Sequence, residues 1–238
     1  PNCTAAACER RRTSGRHTTL VGFLQADVPD GVMNIATALD KTPEIGQISF
    51  TGSTRVGRIL IKRSSDAVEK LSLELGGNAP FIVFDDADVD LAVQSVVASK
   101  FKVTGQTCIC WNRVYVQKPL HDEFVAKLVA AVNAFRVGNA VDSSITHGRN
   151  RLDDIFVPLE AVQSFETEEE VVDSANQCDV GLASYVFSEQ ARRIALVVEK
   201  LHSGMVAVNT DVVSDSAAPF GGTKQSVLGR GGSQVRHG

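Results

Sequence analysis

The sequence predicts an α/β fold built on a largely parallel sheet. Three observations carry that expectation. Short apolar runs of strand length alternate with stretches of helical spacing along most of the chain. Small-residue turns, Thr51-Gly52-Ser53 and Gly76-Gly77 among them, punctuate the alternation. Phe81 to Phe84 is an unbroken apolar run, as expected of a strand covered on both faces.

In chain order, residues 1–20 show no clear period and are rich in Thr, Arg, Ala and Cys. They are expected to be poorly ordered or foreign to the fold. Ile45 to Phe50 reads as a strand ending at Thr51-Gly52-Ser53. Val56, Ile59 and Leu60 give Thr54 to Arg63 helical spacing. Lys70 to Leu75 reads as a strand closed by Gly76-Gly77. Asp86 to Lys100 reads as a helix whose acidic first turn suits the helix dipole. Asn112 to Gln117 is a strand and His121 to Phe135 a helix. The theme repeats in Ile155 to Phe165 with Glu168 to Asn176, in Ala183 to Phe187 with Glu189 to His202, and in Met205 to Asn209. One abrupt junction lies near His147 to Arg151, where Gly148-Arg149-Asn150-Arg151 joins two well-patterned regions.

Composition narrows the function classes. The 238 residues are 43% hydrophobic and 22% charged, ordinary for one large or two small globular domains. With 24 basic and 28 acidic residues the formal charge is −4, so no basic surplus points to nucleic acid. Arg10-Arg11-Arg12 is a short run in polar surroundings and reads as a solvated tail. No apolar run is long enough to span a bilayer, and Pro1 to Thr19 lacks the apolar core of a secretory signal. Cys3, Cys8, Cys108, Cys110 and Cys178 are odd in number and irregular in spacing. That argues against a secreted disulfide framework and for a reducing compartment, the cytoplasm or the mitochondrial matrix. The five histidines show no metal-ligand spacing, and no metal is expected. The missing initial methionine suggests a fragment.

Two segments carry candidate chemistry. Gly105-Gln106-Thr107-Cys108 delivers a thiol on a small-residue turn, and Leu73-Glu74-Leu75-Gly76-Gly77 delivers a carboxylate at a strand end. A thiol to attack a carbonyl and a carboxylate to activate water are what covalent chemistry on an aldehyde needs. Taken singly, Cys108 reads equally as a buried structural thiol and Glu74 as a surface carboxylate on an alternating strand. An apolar setting around Glu74 would raise its pKa and suit it to accept a proton. Thr51-Gly52-Ser53 joins a strand to a helix. It reads either as a cradle for a pyrophosphate at a helix N-terminus or as a plain helix cap. Cys110 reads either as the partner of Cys108 in a reversible disulfide or as a small buried thiol.

These segments, in this order and at this interval, resemble the catalytic core of the aldehyde dehydrogenase superfamily. The resemblance runs from residue 26 to residue 233 and includes Val28-Pro29-Asp30-Gly31-Val32, Gly204-Met205-Val206, Asn209 and Pro219 to Ser226. Gly105 to Cys110, with its second cysteine, and Phe220 to Ser226 are most similar to the succinate-semialdehyde dehydrogenase subgroup. The resemblance implies an incomplete Rossmann-type cofactor domain with a parallel sheet, over residues 21–74, and an α/β catalytic domain over 75–238. An internal deletion is expected near 148–151. It implies Cys108 as nucleophile, Glu74 as the base for water, and NAD or NADP as cofactor. Thr51, Gly52, Ser53, Val56 and Gly76 are then cofactor contacts, and Asp154 and Phe156 lie where the family binds the nicotinamide ribose. Lys102 and Ser214 become contacts for a substrate carboxylate, and Cys110 a redox partner. The expected partner is a small aldehyde, with neither nucleic acid nor membrane, and members of the family form homo-oligomers.

The departures are specific. The family's Pro-Trp-Asn motif, whose asparagine completes the oxyanion hole, and its Lys-Pro segment, whose lysine holds the adenosine ribose, are absent. Asp154 and Val157 replace a glutamate and a glycine, and Lys102 replaces an arginine, keeping charge without the bidentate fork. Two readings follow: a dehydrogenase acting on a short carboxylated aldehyde, or a catalytically inactive remnant with at most a binding role.

Overall fold

The computed structural model describes residues 3–11, 17–25, 45–65, 70–101, 105, 107–136 and 162–231. In chain order the elements are β1 (Cys3–Arg11), β2 (His17–Gln25), β3 (Ile45–Thr51), α1 (Thr54–Ser64), β4 (Lys70–Glu74), β5 (Ala79–Val83), α2 (Val89–Phe101), β6 (Trp111–Gln117), α3 (Lys118–Asn133), β7 (Val162–Phe165), α4 (Glu168–Asn176), β8 (Val180–Gly181), β9 (Ala183–Phe187), α5 (Ala191–Lys200), β10 (Met205–Val208), β11 (Thr223–Lys224) and β12 (Val227–Leu228). They fall into two compact units, Pro1–Gly76 with Ser216–Gly238, and Gly77–Asp215.

The second unit carries the expected parallel sheet, in the order β10-β9-β5-β6-β7 with every pairing parallel. Its centre is apolar because β5 and β9 bury all five of their residues. Ile82 and Phe84 face a cluster with Val171, Val172 and Ala175 of α4 and Val197 of α5. Side chains alternate across a strand, so Phe81 points to the other face. There it meets Trp111 edge-on, and the Trp111 Nε1–H donates to the Val96 carbonyl of α2 (2.9 Å). Phe81 also stacks on Tyr185 and Phe187.

Two helix starts differ from the sequence expectation for identifiable reasons. Asp86 does not begin α2. Asp88 caps that helix, its Oδ1 accepting the N–H groups of Asp90 and Leu91 (both 3.0 Å). Helix α3 begins at Lys118 rather than His121, because Pro119 sits in the first turn, where its missing N–H costs nothing.

The first unit holds the sheet β12-β4-β3-β1-β2. Only the β3–β4 pair, bridged by α1, is parallel; β1–β2, β1–β3 and β12–β4 are antiparallel. Cys3–Arg11 forms β1 and pairs with β3. Its Ala, Glu and Arg have weak strand propensity, and backbone pairing supplies what the pattern lacks. Ser216–Gly238 groups with the first unit, and Val227 and Leu228 pair with Glu74 and Leu73. A two-residue strand leaves no period to read. The expected junction at 148–151 lies outside the described residues.

Helix α1 packs its Gly57 directly against β4. A Cβ at Gly57 would stand 2.6 Å from both Leu75 methyl carbons. Leu75 is buried in one cluster with Phe50, Leu60 and Leu73, which resist its displacement. Gly57→Ala is therefore expected to destabilise the first unit by ~1–3 kcal/mol despite alanine's better helix propensity. Urea unfolding of wild type and variant checks this, and a more stable variant would show that α1 can lift off β4 without cost.

Candidate active site

Cys108 stands at the corner of a tight turn. The Cys110 N–H donates to the Thr107 carbonyl (3.0 Å), which closes a four-residue turn with Cys108 and Ile109 at its centre. The Tyr185 hydroxyl donates to the Ile109 carbonyl (2.9 Å). The Ile109–Cys110 peptide is thus bonded at both its C=O and its N–H. Gly77 seats the other peptide of the turn. A Cβ on Gly77 would lie 2.2 Å from the Cys108 carbonyl oxygen, a clash with backbone that no side-chain movement relieves. Cys108 itself is half-buried. Burial pushes the Tyr185 phenol well above its usual range, and the charges of Cys110, Asp211 and Cys108 add to this. The phenol is therefore a neutral donor at any working pH.

Cys110 is 2% exposed, and its S–H donates to the Ser99 carbonyl of α2 (3.2 Å). Gly105 precedes the turn with φ of +78°, a conformation glycine adopts freely. The turn leads into the N-terminal end of β6, and Gly77 leads into the N-terminal end of β5. Open α/β sheets more often place ligands at the carboxyl ends of their strands. Here that end carries a saturated polar cluster. Asp86 accepts from the Ser188 hydroxyl and from the N–H groups of Glu189 and Gln190, and Arg193 pairs with Asp85, Asp86 and Glu168. Burial pushes the Asp86 carboxyl up, but these hydrogen bonds and the guanidinium outweigh it and hold the carboxyl below its ordinary value.

The first unit carries the other half of the candidate set. Glu74 ends β4 opposite Thr51, and its carbonyl accepts the Gly52 N–H (2.9 Å). Both carboxylate oxygens are buried and meet no hydrogen-bond donor among the described residues. Burial raises the Glu74 pKa; the Gly231 N–H and the Arg230 guanidinium pull the other way without cancelling it. That N–H is committed to the Phe220 carbonyl at 2.7 Å, so its pull on Glu74 is weak. Ser226 knits the Phe220–Ser226 motif to the strand end. Its carbonyl accepts the Leu75 N–H (2.7 Å), and its hydroxyl donates to the Gly76 carbonyl (2.8 Å).

Beside them, Ser53 caps α1, its hydroxyl accepting the Val56 N–H at 3.3 Å. Val56 packs partly against the Phe50–Leu75 core. Thr51 and Ser53 are exposed, and the first turn of α1 carries no acidic residue. The structure thus gathers Thr51, Gly52, Ser53, Glu74 and Gly76 at one end of the β3–β4 pair. Ser214 is exposed in the coil after β10. Lys102, Asp154 and Phe156 lie outside the described residues. Among the described residues no group of three His, Cys, Asp or Glu could hold a metal ion, and no helix is long and apolar enough to cross a membrane.

Sequence reasoning missed three contributors: Gly77 as the seat of the turn, Tyr185 and Lys100. Lys100 had a readable signal. It follows Val93 and Val96 at helical spacing and so falls on the buried face of α2. Tyr185 had none, since its partner lies far away in sequence.

Comparison with known proteins places this geometry. The aldehyde dehydrogenase family matches residues 15–150 and 151–237. A 3-sulfolactaldehyde dehydrogenase of Pseudomonas putida is 39% identical over 269 aligned positions, which cover 88% of this chain and 55% of that protein. A succinate-semialdehyde dehydrogenase [NADP(+)] of Schizosaccharomyces pombe is also 39% identical, over 88% of this chain and 54% of its own length. The crystal structure of an aldehyde dehydrogenase from Brucella melitensis biovar abortus superimposes with a TM-score of 0.81 at 37% identity, covering 85% of this chain and 52% of that one. A succinate-semialdehyde dehydrogenase from Burkholderia pseudomallei gives 0.79 at 38% identity, over 86% and 55%. The chain belongs to the aldehyde dehydrogenase family. It spans about half the length of the curated relatives it matches.

The raised pKa of Glu74 has a consequence for stability. A carboxyl whose pKa is higher folded than unfolded favours the folded state while protonated. That contribution is lost as pH rises from the unfolded value through the folded one. Glu74→Gln, which removes the charge, is expected to raise the melting temperature at neutral pH, with the gain shrinking to nothing under acid conditions. Thermal melts of both proteins across that range check it. A variant less stable at neutral pH would mean that the carboxylate has a charged partner in solution.

Proposed function

We propose that the chain carries the thiol and carboxylate of a centre that oxidises a short anionic aldehyde to its acid with NAD or NADP. The observation that carries this reading is the Cys108 turn, bonded at both ends of one peptide and seated on Gly77 by the other. A turn held this way presents a side chain at a fixed angle, which a nucleophile needs. In the proposed sequence the Cys108 thiolate adds to the aldehyde carbonyl and forms a thiohemiacetal. A nicotinamide held by the residues named below would supply the hydride acceptor, and loss of the hydride and of the hydroxyl proton from the thiohemiacetal would leave a thioester on Cys108. Glu74 takes a proton from water, whose oxygen adds to the thioester, and the thiolate leaves as the acid departs. An apolar-buried carboxyl of raised pKa suits that last role.

The residues at the start of α1 fit the phosphate side of a dinucleotide. Thr51 and Ser53 are exposed there, and the helix end carries no acidic side chain to repel an anion. Gly76 and Val56 would flank it, with Asp154 and Phe156 on the nicotinamide ribose. The relatives are named for 3-sulfolactaldehyde, succinate semialdehyde and glutarate semialdehyde. These aldehydes share an anionic group at the far end, which supports Lys102 and Ser214 as its contacts here. Cys108, Cys110 and Cys178 stand as thiols, which suits a reducing compartment.

One observation favours a second reading, an inactive family member. The first alignment runs over 269 positions although the chain has 238 residues, so that relative carries residues with no counterpart here. The two matched blocks abut between residues 150 and 151, where we place an internal deletion.

Aldehyde-dependent reduction of NAD or NADP by the purified chain, with cofactor titrated by calorimetry, decides between the two. Turnover that Cys108→Ser abolishes is the expected signature of the first reading. Undetectable turnover with weak cofactor binding overturns it in favour of the second. Where turnover is found, Lys102→Ala is expected to raise KM for succinic semialdehyde roughly tenfold, as loss of a charge-assisted contact does. It should leave KM for an uncharged aldehyde of similar length unchanged. Equal effects on both substrates would remove Lys102 from the anion site.

A further inference from the structure

Lys100 is 0% exposed. An ammonium buried in a protein interior carries a large desolvation cost, and apolar residues of similar volume commonly serve stability better. What Lys100 does with its charge is visible in its partners. Its Nζ donates to the Trp111 carbonyl (2.9 Å) and to Asn112 Oδ1 (2.7 Å), and it lies 5.0 Å from the centre of the Trp111 ring. Lys100 is in the last turn of α2, and Trp111 and Asn112 open β6. The ammonium therefore ties the residue just before the nucleophile loop to the two just after it. Gly105 also lies against the lysine stem. A Cβ on Gly105 would stand 3.8 Å from Lys100 Cε and 3.3 Å from its carbonyl oxygen. Two neighbouring contacts repeat the closure, Cys110 Sγ to Ser99 O and Trp111 Nε1 to Val96 O.

We propose that Lys100 is the positioning residue of the Cys108 turn, holding the two ends of the loop together so that the thiol is presented in its reactive arrangement. The proposal rests on the reading of Cys108 as the nucleophile. Lys100 touches neither substrate nor cofactor in this account; it acts through the turn and the start of β6. Ammonium donors on two fixed oxygens specify one loop conformation, where an apolar side chain would fill the volume and specify none.

The test labels the purified chain with iodoacetamide and follows each thiol by peptide mass mapping. Cys178, half-buried in the same unit, and buried Cys110 are internal controls. In wild type Cys108 is expected to react fastest of the three. Lys100→Met keeps the stem and removes the ammonium, and should slow Cys108 by about tenfold or more, the scale of a small misplacement of a reacting group. Asn112→Ala removes one acceptor, is milder, and should slow Cys108 a few-fold while Cys178 holds its rate; it carries the test if the lysine variant does not fold. A merely structural role gives a different pattern, in which loosened packing speeds Cys110 and Cys178 along with Cys108. That pattern, or an unchanged Cys108 rate in the folded variants, overturns the proposal. A wild-type Cys108 no faster than Cys178 is a separate failure, since it removes the nucleophile reading itself.

Discussion

The closeness of Gly77 to the Cys108 carbonyl is the constraint on which the conformation of the Cys108 turn depends. At 2.2 Å from a hypothetical Cβ, the contact admits hydrogen and nothing larger. It lets the chain entering β5 pass directly beneath the turn entering β6. Strand neighbours lie about 5 Å apart, so two connections at the same end of adjacent strands have no spare room. One solution is to strip the side chain from one of them. The turn then rests on backbone, which cannot change rotamer, and Tyr185 fixes its next peptide from the neighbouring strand β9.

The two ends of the parallel sheet are put to different uses. At the carboxyl ends, Asp86, Ser188, Arg193 and Asn209 satisfy one another and the start of α5. A polar group so fully committed has nothing left to offer a ligand. At the amino ends the polar groups hold backbone. Tyr185 and Lys100 donate to carbonyls of the loop, and Arg113 donates to the carbonyls of Asn78, Ser174 and Ala175. That end is stiffened without being filled by side-chain pairs, and this leaves the Cys108 thiol half-buried in a fixed frame.

Much of this was legible in the sequence, and the reasons for the rest are physical. The parallel sheet showed in Phe81–Phe84, because a strand covered on both faces is apolar throughout. Glu74 and Cys108 stood out because each ends a patterned element in small residues. What stayed hidden depends on contacts that local pattern does not encode. Cys3–Arg11 is a strand by virtue of pairing with β3 and not by composition. Val227–Leu228 joins the first unit through a two-residue ladder. Asp88 caps α2 although two acidic residues before it offered the same chemistry.

Glu74 shows how the first unit can hold a buried carboxylate with no hydrogen-bond donor among the described residues. Its backbone is tied on both sides, by Thr51 and Gly52 from one strand and Val227 from the other. Its side chain is left with no donor among the described residues. A carboxylate so placed gives up the hydration it would have at the surface and gains little in return, which is why burial dominates its pKa. The Gly231 N–H and the Arg230 guanidinium pull the other way without cancelling that rise. The surrounding fold holds the backbone of the strand end with hydrogen bonds. The strand end is thereby fixed while the carboxylate stays unpaired.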